Sequence, residues 1–306
     1  MKNTHWLTSP RFPAMFVLAL SAALASGAPA FQASTNGFAF DTGFWRGQLQ
    51  ANGKTFGLVP VQDTNNRTLA RSMGWLAVYR VFSDGRRYGG GGWDWPHESR
   101  LQADGSVKVF CPAEAERPFD FTGRYLWRDA RTVDLELTIV PRQPLKGFEV
   151  FVASYFAPAY SNAWVWTAPA DGGPPQLTRA AREAGDWQMF PRRPELAGLI
   201  QDGRWKLEPH PVEWTLRSPF VLPIAIRQAP GRQPGVVIFG DPVECFAMAM
   251  PYETEGHYSL YFSLFGRDLP AQKPATARLR LQALPDLEWA TVQKAWQNFT
   301  KAEGGN

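Results

Sequence analysis

Apolar and polar residues alternate with a period of two through much of this chain. The clearest stretch is Val133-Asp134-Leu135-Glu136-Leu137-Thr138-Ile139, which would place four apolar side chains on one face of a strand and three polar ones on the other. Further strands are predicted at Trp75–Phe82, Ser106–Phe110, Phe148–Phe156, Phe220–Ile226, Val236–Phe239, Cys245–Met250, His257–Phe265 and Ala277–Leu284. Asn52-Gly53, Asp84-Gly85, Asp104-Gly105 and Asp202-Gly203 fall between runs and suit turns that need positive φ. The pattern predicts an all-β, antiparallel fold.

One firm helical period interrupts it, at the end. Trp289, Val292, Trp296 and Phe299 recur at helical spacing, with Asp286 placed to cap and Glu288 in the first turn, so a helix is expected over 286–302 that packs its aromatic stripe on a sheet. A short helix is a weaker expectation at Pro194–Leu199. The Pro- and Gly-rich stretch Pro169–Pro175 reads as a long loop, and no linker or fixed-period repeat divides the chain. Residues 31–306 are therefore expected to form one β-sandwich domain with a terminal helix.

Residues 1–30 have the three parts of a secretory signal. Lys2 and Arg11 supply charge, Phe12–Ala25 is apolar, and Ala28-Pro29-Ala30 fits a cleavage site, so the mature chain is expected to begin near Phe31 in a periplasm or outside the cell, with no membrane span after cleavage. The formal charge of +4 falls to +2 once Lys2 and Arg11 are removed, which takes away the argument for a nucleic-acid partner. In an oxidising compartment Cys111 and Cys245 are disulfide candidates, and two cysteines cannot make a four-ligand zinc site.

Candidate chemistry concentrates in two segments. Tyr88-Gly-Gly-Gly-Gly-Trp93-Asp94-Trp95-Pro96-His97-Glu98-Ser99-Arg100 combines close backbone approach with flat aromatic faces. Trp93, Asp94, Trp95 and Arg100 are candidate ligand contacts there, with His97 and Glu98 as an acid and base, because a pyranose has one apolar CH face and a rim of hydroxyls. In the second segment Glu253, Glu255 and His257 would share one face of an extended strand and serve in acid–base work, with Tyr252 on the other face as a further candidate contact. His210, between Pro209 and Pro211, reads as a loop residue. G-x-S-x-G, P-loop, dinucleotide-binding and H-E-x-x-H motifs are absent, so the sequence calls for no cofactor, and no spacing announces a metal site.

Three stretches carry a family resemblance. Phe121-Thr-Gly-Arg-Tyr125-Leu-Trp127, Thr132–Val140 and Gly147–Phe156 resemble the central strands of galactose-mutarotase-like supersandwich proteins, and Ser263–Lys273 with Thr276–Leu281 resemble the last ones. The pattern runs from Phe40 to Leu284. The resemblance implies stacked antiparallel sheets with a concave, carbohydrate-binding face, and Tyr155 becomes a candidate ligand contact. In aldose epimerases of this kind a histidine precedes a Tyr-Phe pair in the central strand. Here Ala153-Ser154 precede Tyr155-Phe156, which argues against ordinary aldose epimerase activity unless His97 or His257 substitutes.

Three functions are compatible with these observations. An exported carbohydrate-binding protein without catalysis ranks first, a sugar-active enzyme (epimerase, polysaccharide lyase or hydrolase) second, and a structural or interaction domain of the cell envelope third. The twelve tryptophans after Phe31 favour the first.

Overall fold

The computed structural model describes residues 29–51, 57–71, 73–169, 172–231, 234–252 and 256–301. Residues 1–28 of the proposed signal, Asn52-Gly53, Glu253 and Glu255 lie outside the described residues.

Among these residues the chain forms three sheets. A small four-stranded meander, Gln32–Ser34, Gly37–Asp41, Trp45–Leu49 and Leu58–Asp63, comes first. A nine-stranded sheet runs in the order Gln176–Arg179, Asn162–Thr167, Phe220–Gln228, Gly235–Gly240, Ala275–Leu284, Thr132–Pro141, Phe119–Asp129, Val107–Cys111, Glu98–Leu101. The seven-stranded sheet has the order Thr215–Leu216, Trp187–Pro191, Cys245–Pro251, Ser259–Leu269, Leu145–Tyr155, Ala77–Ser83, Arg86–Arg87. Pairing is antiparallel except between Gln188-Met189 and Thr215-Leu216. The fold is all-β with a C-terminal helix.

The main core lies between the sheets and explains the alternation. Val133, Leu135, Leu137 and Ile139 point into it, as do Phe121, Tyr125 and Trp127 from the neighbouring strand. Asp84-Gly85 makes the expected tight turn, both residues at positive φ, between Ala77–Ser83 and Arg86–Arg87. Asp202-Gly203 does not join a hairpin. Its carboxylate turns back to the backbone N–H and guanidinium of Arg204, starting a single helical turn.

Both large sheets are covered on their outer faces too. The terminal helix, Trp289–Lys301, lays Val292, Trp296 and Phe299 on Ile224, Val237 and Phe239 of the nine-stranded sheet. The seven-stranded sheet is covered by the excursion between Pro191 and Thr215, whose Ile200, Trp205 and Trp214 pack on Phe82, Phe151 and Tyr261. This is why Phe148–Tyr155 reads as a continuous buried run: both faces of that strand are packed against side chains.

The two cysteines are not joined. Cys111 closes a strand of the nine-stranded sheet and Cys245 opens one of the seven-stranded sheet, and both are buried free thiols. Burial pushes the Cys111 thiol up to about 12 and raises Cys245 as well, so neither is a thiolate near neutrality. Ellman's reagent is expected to find no reactive thiol in the native protein and two after denaturation without reductant. A result of zero after denaturation would show a bridge.

Candidate functional site

A β-bulge shapes the outer face of the seven-stranded sheet. Phe151 pairs with Arg80 and Val152 with Val78, leaving Tyr79 as the extra residue, so Tyr79 and Arg80 both reach the same side. Over this face the excursion between Pro191 and Thr215 brings Trp205, His210 and Trp214 opposite Tyr79, Phe151 and Tyr261. The result is an open cleft of about 540 Å³.

Its floor is Tyr155, Phe151 and Tyr261. The register sets Phe151 opposite Ser263 and Ala153 opposite Tyr261, which brings the Phe151 ring over that of Tyr261 at 4.7 Å and 18°. The Tyr261 hydroxyl donates to that of Tyr155 at 3.1 Å. Burial pushes Tyr261 up to about 12 and raises Tyr155 further, so both are neutral hydroxyls rather than phenolate bases.

The walls are aromatic. Trp205 meets Phe151 edge-on at 4.5 Å and Trp214 at 5.2 Å, while Trp187 stands between Trp214 and His257, 5.9 and 5.6 Å away. Tyr155 closes the ring beside His257 at 5.7 Å. At the mouth Arg71 donates to the Gly256 carbonyl at 2.8 Å. Among the described residues no aspartate or glutamate lines the cleft, and no three His, Cys, Asp or Glu side chains cluster as metal ligands would. No helix among them is long and apolar enough to cross a membrane.

No protein-family model matches the sequence, and no curated protein matches it. Similarity lies in three dimensions. The α-N-acetylgalactosaminidase NagBb from Bifidobacterium bifidum, solved in complex with GalNAc, superposes with a TM-score of 0.53 at 10% identity, over 87% of this chain and 39% of that one. The two share a fold, an all-β sandwich. A putative aldose 1-epimerase from Escherichia coli K12 has a TM-score of 0.41 at 10% identity, over 84% of this chain and 99% of that one. A galactose 1-epimerase from Lactobacillus acidophilus NCFM has 0.43 at 11%, over 83% and 97%. The chain thus spans about two fifths of the length of the glycosidase it matches.

The fold separates the sequence candidates. Tyr155 and His257 line the cleft. Trp93 lies one layer behind, stacked on Tyr79 at 5.3 Å and 13°, and Asp94 is exposed in the same short turn. Trp95 is not a ligand platform: it is 7% exposed, packs edge-on against Phe119 and Phe121, and donates its N–H to the Tyr88 carbonyl. His97 sits 3.0 Å from the Trp95 carbonyl through Nδ1. Glu98 and Arg100 pair with each other at 2.9 Å on an exposed edge strand, away from the cleft. The long loop of glycines carries the chain off the seven-stranded sheet to the far edge of the nine-stranded one, which is why these residues leave the hollow. Tyr252 borders a separate, much smaller hollow with Arg227.

Sequence reasoning missed Arg80, Trp187, Trp205 and Trp214. The available signal was Arg80, a charged residue inside the apolar run Ala77–Phe82.

Proposed function

We propose that this chain is an exported protein that binds carbohydrate in the cleft of its seven-stranded sheet. The carrying observation is the wall of Trp187, Trp205 and Trp214 around the Tyr155 and Tyr261 hydroxyls. Indole faces take the CH face of a pyranose while hydroxyls satisfy its rim, and about 540 Å³ falls within the range of small-ligand sites. The likeness in fold to part of a glycosidase solved with GalNAc supports the same reading, and the N-terminal signal pattern supports export to a periplasm or beyond the cell.

Titrating the protein with neutral and acidic oligosaccharides is expected to change its tryptophan fluorescence and raise its unfolding temperature. Trp187→Ala, which removes a partly exposed face without emptying the core, is expected to weaken the responding ligand by about tenfold, or about 1.4 kcal/mol. If no sugar moved either signal, carbohydrate binding would fall behind an envelope interaction role.

His257 favours a second reading, a sugar-active enzyme. Its imidazole stands in the cleft wall between Trp187 and Tyr155, where it can exchange a proton with a bound ring. On that reading His257→Gln abolishes turnover of a sugar that still binds.

A further inference from the structure

The donors around this cleft outnumber the acceptors facing them. Arg80 is 2% exposed, and its guanidinium lies 4.8 Å from the Tyr79 ring and 5.2 Å from that of Trp205. One nitrogen, Nη2, donates to the His210 carbonyl at 2.8 Å and to the Tyr79 hydroxyl at 3.2 Å. Nε and Nη1 are buried with no hydrogen-bond partner, and the same holds for the indole N–H groups of Trp205 and Trp214. All three residues line the cleft.

Two other buried arginines of this protein are compensated by carboxylates. Arg204 pairs with Glu149 and Asp202, and Arg280 with Asp134. Arg80 forms no ion pair with any carboxylate among the described residues, and neither does Arg71 at the cleft mouth. Outside the cleft lining, the Arg87 guanidinium, held by the Pro209 and Gly90 carbonyls, adds positive charge beside Arg80. Arg87 is lowered to about 10 by burial and then by the charge of Arg80, with Tyr79 and Asp94 only partly opposing. A buried cation without a counterion is costly, and buried indole N–H groups can only donate. The missing partner is therefore an acceptor that carries negative charge.

Resting on the carbohydrate reading above, we propose that the sugar this cleft takes bears an oxyanion, either the carboxylate of a uronic acid or an ester sulfate, seated against Arg80. The Tyr79 hydroxyl, which accepts from Arg80, is left with its own proton to donate to the same group. The aromatic walls hold the ring, and the arginines select for its charge.

The test compares an oligogalacturonate with its methyl ester and its carboxyl-reduced neutral form by calorimetry, beside a sulfated neutral oligosaccharide and inorganic sulfate. The acid is expected to bind at least tenfold more tightly than its ester and reduced form, and the advantage to shrink as salt rises. Arg80→Met is expected to erase the advantage, so that charged and neutral forms bind alike, and Arg80→Lys to restore part of it. Tenfold selectivity for the sulfated sugar, with none for the acid, assigns the oxyanion as a sulfate ester. Equal binding of charged and neutral forms overturns the proposal and leaves the carbohydrate site standing; binding of none of the sugars overturns both. Because esterification alters the ligand alone, the outcome does not depend on Arg80→Met folding.

Discussion

Replacing Arg204 by methionine is expected to lower stability by about 3–5 kcal/mol, because it strands a buried carboxylate. Glu149 is 1% exposed, in Leu145–Tyr155, an interior strand of the seven-stranded sheet. It accepts from Arg204 Nη1 at 3.0 Å and from the Ser263 hydroxyl at 2.8 Å. Arg204 also donates to the Gly147 carbonyl and to Asp202. Burial alone would lower the Arg204 pKa, but the hydrogen bonds and charges of Asp202 and Glu149 outweigh it and hold it above its ordinary value. The pair fastens the Pro191–Thr215 excursion to the sheet, and that excursion supplies Trp205 and Trp214 to the cleft. Urea unfolding should therefore show a lower midpoint with an unchanged slope. The double variant Glu149→Gln with Arg204→Met should recover most of the loss, since it removes both charges. A single variant within 1 kcal/mol of the original protein would mean that Glu149 finds other compensation.

The sheets were legible wherever one face of a strand meets polar surroundings and the other the core. Val133–Ile139 shows this well, with Glu136 and Thr138 turned away from the core beneath it. In the seven-stranded sheet the signal weakens, because Phe148–Tyr155 is buried on both faces and alternation there cannot tell the core side from the cleft side. The candidate site suffered from the same loss. Tyr155 and His257 were found through the family resemblance and the alternating polar run, but Trp205 and Trp214 reach the cleft only because a non-strand excursion folds back over the sheet. No local spacing announces such a return. The Gly/Trp segment misled for a related reason: its glycines do serve close packing, with a Cβ at Gly92 falling 2.8 Å from Val78, yet that packing is within the protein. Arg80 was visible as a charge in an apolar strand, and a bulge of one residue decides which way it points.

Phe299→Ala is expected to cost about 3–5 kcal/mol while leaving the cleft's ligand response intact below the new transition. Phe299 is fully buried under the terminal helix, stacked on Phe239 at 6.1 Å and against Trp296 at 5.7 Å. The guanidinium groups of Arg278 and Arg280 lie 5.1 and 5.2 Å from its ring, so truncation removes packing and two cation–π contacts together. The neighbouring Asn298 is exposed, and Asn298→Ala should stay within about 0.5 kcal/mol, which controls for helix propensity. This helix covers the outer face of the nine-stranded sheet, whereas the cleft opens on the outer face of the seven-stranded one, with the main core between them. Calorimetric unfolding with and without the bound sugar separates the two effects. If Phe299→Ala abolished binding in protein that remains folded, the helix would have to act on the cleft through the shared core, and its role could not be confined to stabilising the opposite face.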